Sequence, residues 1–367
     1  MARAVVLGIF CLCSFLLSLA DGGKAKPLFF EMGEEYKEVG QQQEVFLFRG
    51  KDSLPEHQML LLSDSAGNPL LFYADIYTPV CIDNICKPVQ IEVYWDLLGE
   101  YVGFALQKDQ PLTKFDHEEF EPEDYEKFHA LMLDDHSVLG RSKMEDLFDK
   151  NAKAEPEKEQ VVYNGVEVDA VSEPTKKVIR ESTVEGALYS CYTLWHLINA
   201  ESSQKIKAYF AEIYNAEIST YLLDSPYESY QRFALKKLSP EAYLNFRPQI
   251  LHILKDASPL TRSYILKKLP DEDWKDRILS QYLYENFSNW DMNTQTLLLK
   301  HLEFADERAA LWLSSQLSSM KKRQLEMYLK FLPEKPEALD ERIRKALEKE
   351  GQSAYNYAYL IQAYLGS

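Results

Sequence analysis

Short apolar runs, each bounded by turn-forming residues, fill residues 22–110 and predict a mainly β segment. Val45-Phe46-Leu47-Phe48, Met59-Leu60-Leu61-Leu62 and Leu70-Leu71-Phe72-Tyr73 are separated by Gly50, Asp64-Ser65-Ala66-Gly67-Asn68 and Thr78-Pro79. Val89 to Trp95 and Tyr101 to Leu106 flank Asp96-Leu97-Leu98-Gly99-Glu100, which predicts a hairpin. From Pro122 the apolar period lengthens. Tyr125, Phe128, His129, Met132 and Leu133 mark one face of a helix with Pro122 in its first turn. Ser142-Lys143-Met144-Glu145 reads as a capping box opening another short helix. A charged linker, 150–160, precedes two strand-like pieces, Val161-Val162-Tyr163 and Val166 to Val171. Beyond Val184 the pattern is helical to the end.

That helical half repeats itself. Leu235-Lys236-Lys237-Leu238, Leu266-Lys267-Lys268-Leu269, Leu299-Lys300-His301-Leu302 and Leu329-Lys330-Phe331-Leu332 lie 31, 33 and 30 residues apart. Second helices fall between them, at Ile250 to Leu254, Ile278 to Leu283 and Ala309 to Leu317. Ser225-Pro226-Tyr227-Glu228 reads as a capping box, and Ser239-Pro240 and Ser258-Pro259 repeat the cap-then-Pro signal. A helical hairpin recurring at this period buries its stripe only against its neighbours, so residues 200–367 resemble short HEAT-like repeats. An irregular helical bundle is the competing reading.

The N-terminus predicts the compartment. Arg3 precedes an apolar run from Ala4 to Ala20 that ends in Ser18-Leu19-Ala20. This is the order of a secretory signal peptide, residues 1–20; kept uncleaved, it would be an anchor. The chain is therefore expected to be secreted, into the periplasm, with no later membrane span. Cys81 and Cys86 flank Ile82-Asp83-Asn84-Ile85. If Asp83-Asn84 is a two-residue turn, the two cysteines face each other as a non-hydrogen-bonded pair, with Cα atoms about 4.5 Å apart. A disulfide is expected there in an oxidising compartment. A redox-active pair is the alternative, although the spacing is not Cys-x-x-Cys. Cys191, among apolar helix neighbours, is expected to be buried and inert.

Composition narrows the function classes. Apolar residues at 46% with 13% aromatics exclude a disordered chain. Asp and Glu number 58 against 41 Lys and Arg, a formal charge of −17, which disfavours nucleic acid and anionic membranes as partners. The sequence has no Gly-x-Ser-x-Gly, His-Glu-x-x-His, phosphate-cradling glycine loop or Cys-x-x-Cys-His, so hydrolase, NTPase and haem readings lack their residues. Asp116-His117-Glu118-Glu119 and Asp134-Asp135-His136 have no recognised metal-ligand spacing and read as solvated acidic surface. Asn286-Phe287-Ser288 is a formal glycosylation triplet.

One segment points to chemistry. Asp169-Ala170-Val171-Ser172-Glu173-Pro174-Thr175 follows a strand and precedes Thr183-Val184-Glu185-Gly186-Ala187, where a helix is expected. It resembles the Asp-x-x-Ser-Gly-Ala-Thr segment of the periplasmic FMN-binding domain found in flavin subunits of sodium-pumping quinone reductases and Rnf-type complexes. The resemblance covers about residues 70–200, and Asp169, Ser172 and Thr175 match the motif. Glu173 and Pro174 stand where the family has Gly and Ala. A side chain at the Gly obstructs approach of backbone amides to a phosphate, Glu173 adds negative charge, and Pro174 removes an amide donor. The resemblance implies FMN joined through its phosphate to Thr175 by a flavin transferase, with Asp169 and Ser172 shaping the turn. It also implies electron transfer to a redox partner, without independent catalytic turnover. A second group, Tyr94-Trp95-Asp96, Gly99, Tyr101-Val102-Gly103 and Leu112-Thr113-Lys114-Phe115-Asp116-His117, would line a flavin pocket or else pack as an ordinary aromatic hairpin.

The expected architecture is thus a signal peptide, an α+β FMN-binding-like domain at 21–199 built of antiparallel hairpins and short helices, and an all-α repeat domain at 200–367. Two functions follow from it. One is extracytoplasmic electron transfer through FMN at Thr175. The other is a non-catalytic interaction scaffold whose flavin site has lapsed and whose helical repeats bind a partner protein.

Overall fold

Six strands form one antiparallel sheet in the computed structural model: β1 (Phe29–Phe30), β2 (Gln41–Phe48), β3 (His57–Ser63), β4 (Pro69–Thr78), β5 (Val89–Trp95) and β6 (Tyr101–Ala105). The structure describes residues 26–50, 55–80, 87–107, 109–114, 117–144, 147, 161–163, 166–168, 177–332, 341 and 357–366. The signal segment, the linker at 150–160, Cys81, Cys86, Asp169, Ser172 and Thr175 all lie outside these residues. The chain divides into two compact units, Met1–Tyr214 and Asn215–Ser367.

Strand order in the first unit is β1-β6-β5-β4-β3-β2. Strands β2 to β6 form a simple meander, and β1 returns to pair with β6 through Phe29↔Phe104 and Phe30↔Gly103. Glycine at 103 is required here, because a Cβ would fall inside the van der Waals shell of the Phe29 carbonyl oxygen. Period-2 alternation sets the core. Phe72, Ala74 and Ile76 on β4 and Ile91, Val93 and Trp95 on β5 are all completely buried.

Helix α1 (Pro122–Leu133) packs on this face, with Phe128 edge-on to Phe104 at 5.4 Å between ring centroids. A small hairpin, β7 (Val161–Tyr163) with β8 (Val166–Val168), and a short helix α2 (Lys177–Ser182) follow. Then α3 (Leu188–His196) runs through a π-turn (Leu197–Glu201) into α4 (Ser202–Ile213). The Tyr209 ring of α4 lies against Phe46 and Phe72 of the sheet, at 6.0 and 6.1 Å. Residues 200–214, which the sequence pattern groups with the repeats, therefore pack with the first unit. Apolar periodicity marks a helix but not the surface it covers.

The second unit is mostly helical: α5 (Ala216–Leu223), α6 (Glu228–Lys237), α7 (Pro240–Asn245), α8 (Arg247–Asp256), α9 (Pro259–Lys268), α10 (Asp271–Lys275), α11 (Arg277–Glu285), α12 (Met292–Lys300), α13 (Ala309–Ser314), α14 (Lys322–Lys330) and α15 (Ala358–Gly366). The helices carrying the Leu-Lys-x-Leu pattern pack in succession, α6 on α9, α9 on α12 and α12 on α14. Their N-termini are tied by side chains. Ser258 and Thr261 of α9 donate to Glu228 of α6. Arg262 pairs with Asp291, the N-cap of α12, at 3.2 Å. Gln324 of α14 donates to Gln295 of α12 at 2.6 Å.

Ser239 caps α7 as expected, accepting from the Ala242 amide at 3.2 Å. The capping box expected at Ser225 is not formed, and the one expected at Ser142 reaches Glu145, which lies outside the described residues. Ser225 accepts from the Tyr227 amide, closing a turn ahead of α6, which starts at Glu228 with Tyr227 as N-cap. Ser142 donates to the Val138 carbonyl at the end of a 3₁₀ turn, Val138–Arg141. Both serines make local side-chain-to-backbone bonds that compete with capping.

Candidate functional site

Residues 112–114 and 117–120 pair as the two arms of a tight hairpin. The Phe120 amide donates to the Leu112 carbonyl at 2.9 Å and the Lys114 amide to the Glu118 carbonyl at 2.7 Å. Leu112 and Phe120 are buried and anchor its base. At its tip His117 has φ +62°, a left-handed conformation that His adopts more readily than most residues. This hairpin forms one wall of a cleft, through Thr113, Lys114 and His117. The opposite wall is the entry to α3: Gly186, Ala187, Tyr189 and Ser190. Val80 and Lys87, the residues on either side of 81–86, complete it. Gly186 has φ +73°, and a Cβ there would lie 3.3 Å from Lys114 Cβ, so glycine allows the two walls to approach.

The electrostatics of the cleft differ from those of the unit around it. Asp and Glu outnumber Lys and Arg in residues 1–214, whereas the two balance in 215–367. Yet Lys87, Lys114 and His117 converge on the cleft. Lys114 Nζ is held by Asp124 Oδ2 at 2.7 Å, and that hydrogen bond raises the Lys114 pKa. The first turn of α3 adds the positive end of a helix, with no side-chain acceptor from its N-cap, Ala187.

In the group read as pocket or packing, the strand aromatics Tyr94, Trp95 and Tyr101 prove to be packing. Trp95, Tyr94 and Tyr101 are 0, 1 and 4% exposed. The Trp95 indole donates to the Ile198 carbonyl in the π-turn at 2.9 Å. Asp96 is spent on its own hairpin, its Oδ1 accepting from the Leu98 and Glu100 amides at 2.9 Å each. Burial pushes the Asp96 carboxyl up to about 7, against the pull of those backbone donors. Gly99 (φ +79°) closes the turn beneath Ser203. Only the later part of the group, Thr113, Lys114 and His117, reaches the cleft.

Sequence reasoning missed one cluster, in which buried Tyr101 and His129 meet a half-exposed Glu31. Tyr101 Oη lies 2.9 Å from His129 Nδ1, and His129 Nε2 lies 2.8 Å from Glu31 Oε1. Phe29 stacks on the His129 ring at 4.7 Å. The cluster ties β1 and α1 to β6, and burial together with the Glu31 charge holds the Tyr101 hydroxyl well above the ordinary phenol range. The only signal was a histidine on an apolar helix face. Cys191 is buried, as its neighbours imply, and burial pushes its thiol up to about 12.

No family model matches the chain, nor does any curated protein or solved structure. No described helix is long and apolar enough to cross a membrane. Among the described residues, no group of three or more His, Cys, Asp or Glu side chains is placed to hold a metal ion.

Proposed function

We propose that the first unit is an FMN-binding-domain-like module that carries electrons outside the cytoplasm, with FMN attached through its phosphate at Thr175 by a flavin transferase. The observation supporting this reading is the cleft formed by the chain that follows the motif. Gly186 to Ser190 lie a short way beyond Thr175 in sequence and meet Lys87, Lys114 and His117 there. These residues fit the phosphate end of the cofactor: two ammonium groups, an imidazole and a hydroxyl suit a dianion with several acceptor oxygens. Tyr189 also lines the cleft. Bound FMN would supply one- and two-electron transfer. Asp169 and Ser172 shape the attachment turn, and the chain itself contributes binding, charge and exclusion of water. A secretory signal and a Cys81–Cys86 disulfide belong to the same reading.

Co-expression with a flavin transferase and in-gel fluorescence after denaturation tests it. Wild type is expected to fluoresce and Thr175→Ala to be dark, with Glu173→Gly plus Pro174→Ala increasing the signal. A dark wild-type band in all co-expressions removes the proposal.

A second reading rests on a separate observation, the succession of α6, α9, α12 and α14. We read these helices and their partners as stacked HEAT-like hairpins whose surface docks a protein partner, with or without a flavin. A stack transmits stability only to neighbours. Loosening α14 with Leu325→Ala should therefore raise amide exchange in α12 more than in α6. Equal effects on both would indicate a single irregular bundle.

A further inference from the structure

We propose that the cleft between the 112–120 hairpin and the start of α3 is a non-covalent site for a phosphate monoester, held by Lys87, Lys114, His117 and the Ser190 hydroxyl. The proposal deepens the flavin reading, since FMN is such a monoester, but it concerns binding and not attachment at Thr175.

Ser190 carries the argument furthest. It is 6% exposed, and the space it lines is the cleft. Among the described residues its hydroxyl has no hydrogen-bond partner, although a helical serine ordinarily back-bonds to the preceding turn, as Ser202 does to Ile198 in the same continuous helix. The hydroxyl opens on the cleft, where an acceptor oxygen of a ligand can take its proton in place of water. Ser190 is the third residue of α3, a nine-residue helix, so an oxygen reaching its hydroxyl also meets the positive end of the helix.

Charge narrows the ligand class. Lys87 and His117 have no carboxylate within ion-pair distance among the described residues, in a unit where acids predominate. Lys114, also at the cleft, is held by Asp124 at 2.7 Å. A lone carboxylate would satisfy two of these donors; a tetrahedral dianion with three free oxygens can engage all of them. Gly186 keeps the cleft passable, since any side chain there presses on Lys114.

The test is calorimetry on the full chain with inorganic phosphate, FMN and riboflavin at neutral pH and low salt. Phosphate and FMN should bind and exclude one another, while riboflavin, which lacks the phosphate, should not displace phosphate. Ser190→Ala and the surface substitution Lys87→Met should each weaken phosphate binding about fivefold, the effect of losing one hydrogen bond of about 1 kcal/mol. Lys267→Met, in the second unit, should leave the affinity unchanged. Absence of saturable phosphate binding, affinity indifferent to both cleft variants, or displacement of phosphate by riboflavin would overturn the site. Phosphate binding without covalent flavin would remove attachment at Thr175 and keep the cleft; covalent flavin without phosphate binding would do the reverse.

Discussion

Trp95, at the end of β5, donates its indole proton to the carbonyl of Ile198, 103 residues later, across 2.9 Å of buried space. Ile198 lies in the π-turn, where the regular i→i−4 pattern is interrupted and carbonyls need other partners. The sheet thus supplies a second donor to a carbonyl that also accepts from the Ser202 hydroxyl at 2.8 Å, and the helix is fixed in register over the β5–β6 hairpin. Trp95→Phe keeps much of the apolar volume and removes the donor. It should lower the stability of the first unit by about 2–3 kcal/mol, read from urea unfolding followed by near-UV circular dichroism. An unchanged midpoint would mean that the Ser202 hydroxyl alone satisfies the carbonyl.

Asp96 makes stability depend on pH. Its folded pKa, about 7, lies above its ordinary value of 3.8. The folded state therefore binds the proton more tightly than the unfolded chain, and stability falls as pH rises from about 4 through 7. Asp96→Asn keeps an oxygen for the Leu98 and Glu100 amides but does not titrate. The variant should match or trail wild type at pH about 5 and exceed it by a few kcal/mol at pH about 8. A gap that stays constant across that window would show that Asp96 does not titrate there.

Gly103 decides whether β1 joins the sheet. Alanine at this position collides with the Phe29 backbone, so Gly103→Ala should release β1 from β6. The Glu31–His129 contact should go with it. Limited proteolysis near Leu28 should accelerate in the variant, while the β2–β5 meander keeps its amide protection.

Arg262 joins α9 to the start of α12 by pairing with Asp291 and lying over the Trp290 ring at 4.5 Å. Its side chain is 11% exposed, so the pair is little screened by water. Arg262→Met should destabilise the second unit by about 2–4 kcal/mol, more than an exposed ion pair loses, because Asp291 is left without its cation. A loss below about 1 kcal/mol would place the pair with ordinary surface pairs.

Cys191 should resist thiol reagents in the native protein, because burial disfavours its thiolate across the physiological range. Wild type and Cys191→Ser should titrate identically with a chromogenic disulfide until denaturant is added. An extra native thiol in wild type would contradict the burial.

Much of the sheet was legible because its strands carry short apolar runs bounded by turn-forming residues, with β4 to β6 buried over most of their length. The runs at 45–48, 59–62, 70–73 and 89–95 fall inside β2 to β5, and the Asp96–Glu100 hairpin is where the polar interruption put it. The helix from Pro122 and the second helices at 250–254 and 278–283 were equally plain, since their apolar period is local. What escaped depends on distant partners. Strand β1 is two residues long and exists because Gly103 admits it. Tyr94, Trp95 and Tyr101 looked alike as pocket or packing, and only the helices laid over the sheet decide between them. Lys114 and His117 were legible as candidates, but Ser190 was not, because nothing in a helical sequence says which hydroxyl lacks a partner.

The outer edge of the sheet has a further consequence. Strand β2 opens with Gln41, Gln42, Gln43 and Glu44, all exposed, and its pairing with β3 slips between Glu44 and Phe46. Farther along, the Lys205 ammonium occupies the Leu47 carbonyl at 2.7 Å. An incoming strand from another molecule meets polar side chains, an irregular ladder and a cation where it needs a free acceptor. The protein can therefore present a long strand at its margin with its edge guarded against fibrillar polymerisation.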